Sequence, residues 1–308
     1  MKLAYIFPGQ GSQYVGMGKS LFDNFKRAKE TFEEANEALG LKISDLCFSG
    51  PEAELKLTYN TQPAILATSI AALRVLSSET HLGPSLLAGH SLGEYTALVA
   101  SGSLTFVDAV RLVRARGKYM DEAVPAGTGG MAAVLGMDRE KVEQLCREAS
   151  KGEVVAPANF NSPGQIVVSG HTGAVNRLVE LAKEVGAKAI PLPVSAPSHS
   201  PLMAPAGERL AKELEKIEIK DIKYPVISNA DAEFYPSKDK VAGLLIKQLS
   251  SPVRWEGSVA KALSSGAEAF IEIGPGKVLC GLLKRINKEI RSYNIEDVDS
   301  LKTLQNAF

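Results

Sequence analysis

The sequence predicts an α/β fold: a largely parallel sheet flanked by helices, with an inserted ferredoxin-like (βαββαβ) subdomain. Three observations predict it. Short apolar runs alternate with amphipathic helical patterns on both sides of the middle of the chain, as in a parallel sheet covered by helices. Between about residues 126 and 194 the rhythm changes to β-α-β-β-α-β, the order of the split βαβ unit. Finally, Gly89-His90-Ser91-Leu92-Gly93 stands between an expected strand and an expected helix.

In chain order, Leu3–Phe7 reads as a buried strand, followed by helical stretches near 17–39 and 61–79. Ser85–Gly89 is a second strand, leading to helices at 92–100 and 105–123. Gly-rich Pro125–Gly130 opens the middle segment. There Met131–Leu135 is a strand, Arg139–Glu148 a helix, and Val154–Asn159 and Gln165–Ser169 two strands around an Asn-Ser-Pro-Gly turn. Ala174–Val185 and Lys188–Leu192 complete the unit as helix and strand. The remainder gives helix 201–217, strand 225–228, helix 237–249, helix 256–265, strand 268–273, helix 277–288 and strand 290–294. The expected division is a discontinuous catalytic domain, 1–125 and 195–308, with a small subdomain at 126–194.

Composition narrows the function. Across 308 residues, 35 Lys+Arg meet 35 Asp+Glu, with 45% hydrophobic and 23% charged residues. That is the composition of a folded water-soluble protein, and the balance argues against a nucleic-acid coat. Cys47, Cys146 and Cys280 are far apart and form no Cys-x-x-Cys, so they read as small buried hydrophobes and suggest neither a disulfide framework nor a zinc site. The N-terminal apolar run is too short for a signal peptide, and Pro63–Leu76, cut by Arg74, is too short for a membrane span. A cytoplasmic monomer with no metal, no cofactor and no membrane contact is expected.

The Gly-x-Ser-x-Gly motif supplies a nucleophile elbow, a tight strand-to-helix turn that exposes the serine hydroxyl. The helix beginning at Leu92 aims free N–H groups at the place where an oxyanion forms. A serine needs a base, and the chain holds four histidines. His81 lies in a polar connection, His90 adjoins the serine and should pack or hydrogen-bond locally, and His171 starts a helix where it should cap. His199, in the loop Ser195–Ser200, remains as the base. No histidine follows it, so the serine–acid–histidine order of ordinary α/β-hydrolases is absent.

Gly9-Gln10-Gly11-Ser12-Gln13 tempts a phosphate-loop reading, which fails on spacing. A Walker loop ending Gly18-Lys19-Ser20 needs glycine where Gln13 stands, and a dinucleotide fingerprint needs it where Tyr14 stands. A loop bringing backbone N–H groups to a reacting carbonyl fits better. Arg111, Arg114, Arg116 and Lys118 crowd one helix. One of these arginines turned inward could grip a carboxylate with two parallel hydrogen bonds, but the spacing leaves open which.

These motifs, with Asn159-Phe160-Asn161-Ser162-Pro163-Gly164-Gln165, Pro197-Ser198-His199-Ser200 and Gln248-Leu249-Ser250-Ser251-Pro252-Val253-Arg254-Trp255, occur in one order over nearly the whole chain. In that order they resemble the malonyl-CoA:acyl carrier protein transacylase family. The resemblance implies a hydrolase-like α/β domain with a ferredoxin-like insertion. It also implies Ser91 as nucleophile, His199 as base, and the N–H groups of Gln10 and Leu92 as the oxyanion hole. Arg116 would bind the malonyl carboxylate, Gln248 would orient His199 through its backbone carbonyl, and Asn159 would help shape the site. The implied activity moves a malonyl group from malonyl-CoA to the phosphopantetheine thiol of acyl carrier protein, for fatty acid biosynthesis. A serine esterase or thioesterase, a different acyl specificity (acetyl or methylmalonyl), or a carrier-binding module with a vestigial elbow stands as the alternative.

The neutral total hides unequal regions. Glu30, Glu33, Glu34 and Glu37 make an acidic helix, and Glu296, Asp297 and Asp299 an acidic tail. Lys284, Arg285, Lys288 and Arg291 form a basic cluster. The carrier implied by the resemblance is acidic, so Lys284, Arg285 and Lys288 are the expected docking residues.

Overall fold

The computed structural model describes residues 1–194 and 196–308. Ser195, where the sequence starts the second part of the larger domain, lies outside the described residues. β1 (Leu3–Phe7) leads through α1 (Lys19–Asn24), α2 (Lys26–Leu39), α3 (Ile43–Ser49) and α4 (Glu52–Leu55) to the long α5 (Thr58–Glu79). β2 (Leu86–Gly89), α6 (Leu92–Ala100) and α7 (Phe106–Asp121) follow. The middle segment is β3 (Gly129–Leu135), α8 (Arg139–Ser150), β4 (Val155–Ser162), β5 (Gln165–His171), α9 (Thr172–Glu184) and β6 (Lys188–Pro191). The chain ends with α10 (Ala204–Leu214), β7 (Val226–Ile227), α11 (Val241–Ser250), α12 (Trp255–Ser264), β8 (Ala269–Ile273), α13 (Val278–Ile286), β9 (Arg291–Ile295) and α14 (Val298–Ala307).

The larger sheet runs β7-β2-β1-β8-β9, and all its strand pairs are parallel. Both faces are covered, which is why β1 reads as an unbroken apolar run. Leu3, Tyr5 and Phe7 join α5, α6 and α7 on one side, while Ala4 and Ile6 join Trp255 and Leu282, from α12 and α13, on the other. The smaller sheet, β4-β5-β3-β6, is antiparallel. One of its faces buries α8 and α9 around Val134, Val168 and Leu178. The other face carries Met131, Ala133 and Val167 toward the first sheet.

Three helices escape the periodicity. α3 and α4 are too short to show it. The acidic tail is the start of α14, where Asp297 accepts from Ser300 N–H and Ser300 bonds back to Asp297 N–H, a capping box. Expected helices 201–217 and 237–249 each begin with a short 3-10 turn, at Pro201–Met203 and Lys238–Lys240, before α10 and α11. Among the described residues no helix is long and apolar enough to cross a membrane.

Candidate active site

The site forms where the ends of β1 and β2, the start of α6, and the loops before α10 and after α11 meet the small sheet. They enclose a cleft of about 680 Å³, lined by Gln10, Ser91, Arg116, Asn159 and His199 among others. Ser91 sits at φ 51°, ψ −103°, a backbone conformation that favours glycine, at the turn between β2 and α6. The two elbow glycines make that turn possible. A Cβ on Gly89 would lie 2.0 Å from the Gly93 carbonyl, and one on Gly93 would lie 2.0 Å from Phe7 O.

Ser91 Oγ lies 2.7 Å from His199 Nε2, and His199 Nδ1 lies 2.8 Å from the Gln248 carbonyl oxygen. A carbonyl only accepts, so Nδ1 carries the proton and Nε2 is free to accept from the serine hydroxyl. His199 is itself left-handed at φ 60°. Burial, then the nearby Arg116 charge, push its pKa down from 6.5 to about 3, so it stays neutral at pH 7.

Arg116 is 1% exposed. Its Nη1 donates to Gln62 Oε1 at 2.9 Å, and its Nη2 donates to Gln248 Oε1 at 3.0 Å and Ser91 Oγ at 3.2 Å. Arg111 and Lys118 are exposed, and Arg114 donates to Asn60 at the surface edge. Gly117 explains how the arginine gets there. A Cβ at that position would lie 2.6 Å from Tyr59 Cα, so the glycine lets α7 approach α5 closely and sets Arg116 beside Gln62.

Leu92 is the first residue of α6, where the N–H has no partner within the helix, and Gln10 follows β1 across the cleft. Asn159 is buried in β4, next to the backbone bond from Phe160 N–H to Val253 O that ties the small sheet to the loop after α11. Lys284, Arg285 and Lys288 are exposed on and just beyond α13, whose half-exposed Val278 and buried Leu279 and Leu282 line the cleft. Arg285 reaches over to Gln165 Oε1 at 2.9 Å.

Two histidine expectations need refining. His90 packs beside Trp255, ring centroids 5.7 Å apart, but its hydrogen bond is not local: its Nε2 meets Asn161 Oδ1 of β4 at 2.9 Å, across the cleft. His171 precedes α9 but does not cap it, and its Nδ1 accepts from Val154 N–H at 2.9 Å. His81 is exposed, and all three cysteines are buried and unpaired. Among the described residues no group of His, Cys, Asp or Glu is placed to hold a metal.

The acyl transferase domain family matches residues 4–306 of the chain. The chain belongs to that family. It is 52% identical over 303 residues to the malonyl CoA-acyl carrier protein transacylase of Bacillus subtilis, covering 98% of this chain and 95% of the relative. The crystal structure of the malonyl CoA-acyl carrier protein transacylase from Clostridium perfringens superposes with a TM-score of 0.97 at 46% identity, covering 100% of this chain and 97% of the other. A malonyl-transacylase solved in complex with a type II PKS acyl-carrier protein superposes at 0.98 with 45% identity, covering 100% of both chains.

Three residues of this acyl transferase's site lie outside every motif role read from the sequence. Gln62 holds Arg116. Asn229, after β7, accepts from Ser91 N–H at 2.6 Å and donates to Gly89 O at 2.7 Å, so one amide grips both sides of the elbow. Glu94 lies buried beneath them. Its signal was visible as a single charge within the otherwise uncharged stretch Leu92–Ala100.

Proposed function

We propose that the chain transfers a malonyl group from malonyl-CoA to the phosphopantetheine thiol of an acyl carrier protein, through a malonyl ester on Ser91. The observation that carries this reading is the buried cation of Arg116 beside the Ser91–His199 pair, hydrogen-bonded among the described residues to neutral groups, with its Nη2 3.2 Å from the nucleophile. An acyl group on Ser91 that ends in a carboxylate meets that guanidinium, whose planar fork matches two carboxylate oxygens.

His199 Nε2 takes the Ser91 proton as Oγ attacks the thioester carbonyl. The resulting oxyanion accepts from the N–H groups of Gln10 and Leu92, each such donor contributing ~3 kcal/mol to the transition state. Collapse expels the coenzyme A thiolate, which takes the proton from His199, and leaves the ester. The carrier thiol then gives its proton to His199 and attacks the ester carbonyl, and Ser91 recovers the proton as it leaves. The Gln248 carbonyl bears on Nδ1–H throughout, in the place a triad carboxylate holds elsewhere, and Asn159 shapes the wall facing the acyl group.

Residues 1–125 and 195–308 act as the catalytic domain and 126–194 as the small one, each of the two sheets having its own apolar cluster. The exposed Lys284, Arg285 and Lys288 receive the acidic carrier at the cleft's edge. The reaction supplies fatty acid biosynthesis in the cytoplasm.

The test is intact-mass analysis after mixing with malonyl-CoA, followed by product analysis with carrier protein. The wild type gains one malonyl increment and passes it to the carrier, while Ser91→Ala gains none. An adduct on Ser91→Ala removes the serine from its role. Free malonate as the main product makes the chain a thioesterase, and equal loading of acetyl and malonyl groups removes the carboxylate-binding role of Arg116.

A further inference from the structure

Beneath the nucleophile lies a carboxylate that the transfer chemistry does not touch. Glu94 is the third residue of α6 and has no exposed surface. Its oxygens take three donors. The Tyr235 hydroxyl bonds Oε1, while Asn229 N–H at 3.1 Å and Gln248 Nε2 at 2.6 Å bond Oε2. Desolvation raises its pKa to about 7, against the opposing pull of those donors and of the Arg116 charge. A buried acidic group that costs this much to keep stands in need of a role.

Two branches leave it. In the first, Gln248 is fully buried; its Nε2 also donates to Ser91 O at 2.9 Å, and its Oε1 accepts from Arg116. The two ends of a glutamine amide are nearly the same shape, so its orientation is set by what each end meets. Glu94 Oε2 accepts from the NH₂ end, which leaves the oxygen for the guanidinium. In the second, the Asn229 backbone rests on Glu94 while its side chain grips Ser91 N–H and Gly89 O. One carboxylate thus ties the arginine and the strained elbow together.

We propose that Glu94 is a positioning residue for acyl selection: by holding the Gln248 amide and the Asn229 backbone on one oxygen, it fixes Arg116 relative to Ser91 and so sets the preference for acyl groups ending in a carboxylate. This rests on the reading of Arg116 as the carboxylate anchor. Only a malonyl group must reach both Ser91 and Arg116 at once, so loosening their relative placement penalises malonyl loading more than acetyl loading.

The experiment measures kcat/KM for single-turnover loading of Ser91 from malonyl-CoA and acetyl-CoA in Glu94→Asp, Glu94→Gln and Arg116→Ala, each shown folded by its thermal melt. Glu94→Asp keeps the charge but withdraws the oxygens by one methylene. It is expected to lower malonyl loading on the order of a hundredfold, as misplacement by about 1 Å does, and to lower the malonyl-to-acetyl ratio about tenfold. Glu94→Gln presents a carbonyl to the same two donors and is expected to keep the ratio within about threefold of wild type. Should Glu94→Asp fail to fold, Gln248→Leu cuts the same link while leaving the backbone carbonyl on His199, and its ratio decides by the same measure. An unchanged ratio in Glu94→Asp, or a Glu94→Gln ratio as low as that of Asp, overturns the proposal. A ratio that collapses in Arg116→Ala but not in Glu94→Asp overturns this inference alone, whereas a ratio unmoved in Arg116→Ala overturns the anchor reading beneath it.

Discussion

Replacing Arg116 with glutamine should move the acid limb of serine acylation upward. Arg116 Nη2 lies 3.2 Å from Ser91 Oγ and His199 Nε2 lies 2.7 Å from the same atom, so cation and base are at most about 5.9 Å apart. At an effective dielectric near 20, that separation opposes protonation of His199 by roughly 3 kcal/mol, or about two pH units. Burial is the larger cause of the depressed pKa and stays when the charge is removed. Arg116→Gln should therefore shift the limb up by about one to two pH units, from about 3 toward 5. The assay is the pH dependence of single-turnover loading of Ser91 from acetyl-CoA, whose acyl group offers no carboxylate to the arginine. Its kcat/KM reports the free enzyme's base. A wild-type limb near the ordinary 6.5, or a variant limb that does not move, would refute the reasoning.

The same depression has a thermodynamic sign. An unfolded histidine titrates near 6.5 and the native one near 3, so as pH falls between these values only the unfolded chain gains the proton. Stability held above 6.5 is lost on the way down, by up to roughly 5 kcal/mol for this group. Glu94 runs the other way. Its folded pKa is raised from 4.5 to about 7, so its contribution is complete below 4.5 and is lost as pH rises through 7.

Two further outcomes test the elbow and the docking face. Gly93→Ala should leave no correctly formed elbow, because its Cβ meets backbone at Phe7 O; the variant should lose serine acylation and melt several degrees lower, and normal loading would show that the strand and helix can separate. Reversing Lys284 and Arg285 to glutamate should raise the carrier KM about tenfold at low ionic strength, with the difference shrinking as salt is added, and an unchanged KM removes α13 from the docking face.

What the sequence could reveal divides along local and distant contacts. The strands, the elbow and the small βαββαβ unit are periodic or motif-bearing over a few residues, and they stand where those patterns put them. α14 was hidden because its acidic residues resemble a solvated tail, although Asp297 and Ser300 carry a readable cap. Which arginine turns inward was left open by the spacing, and the structure decides it. Ala109, Leu112, Val113, Arg116, Gly117 and Met120 form one buried stripe of α7, and Arg116 is the one basic residue on it. Gln62 and Asn229 were not legible as site residues, and Glu94 showed only as a lone charge in α6, without its partners. Their roles arise from contacts between α5, α6, the turn after β7 and α11, which no local pattern encodes.

The carbonyl behind His199 makes sense beside Arg116. A carboxylate there would raise the histidine's pKa and offer the guanidinium a permanent partner, so a substrate carboxylate would have to displace it. Instead, among the described residues, the arginine hydrogen-bonds to Gln62 Oε1, Gln248 Oε1 and Ser91 Oγ and lies over the Tyr95 ring, all neutral, and Glu94 stands one amide further back. The first anion to touch the guanidinium is then the acyl group. Gln62→Glu tests this directly. Gln62 is buried with its oxygen 2.9 Å from Arg116 Nη1, so a carboxylate of the same shape can occupy that position and form a permanent pair. A charged hydrogen bond of this kind is worth about 1.5–3 kcal/mol, so the KM for malonyl-CoA should rise roughly ten- to a hundredfold. Loading from acetyl-CoA, which does not use the arginine's charge, should fall far less. A malonyl KM that stays at the wild-type value, with the variant folded, would mean that the cation of Arg116 is not held open for the substrate.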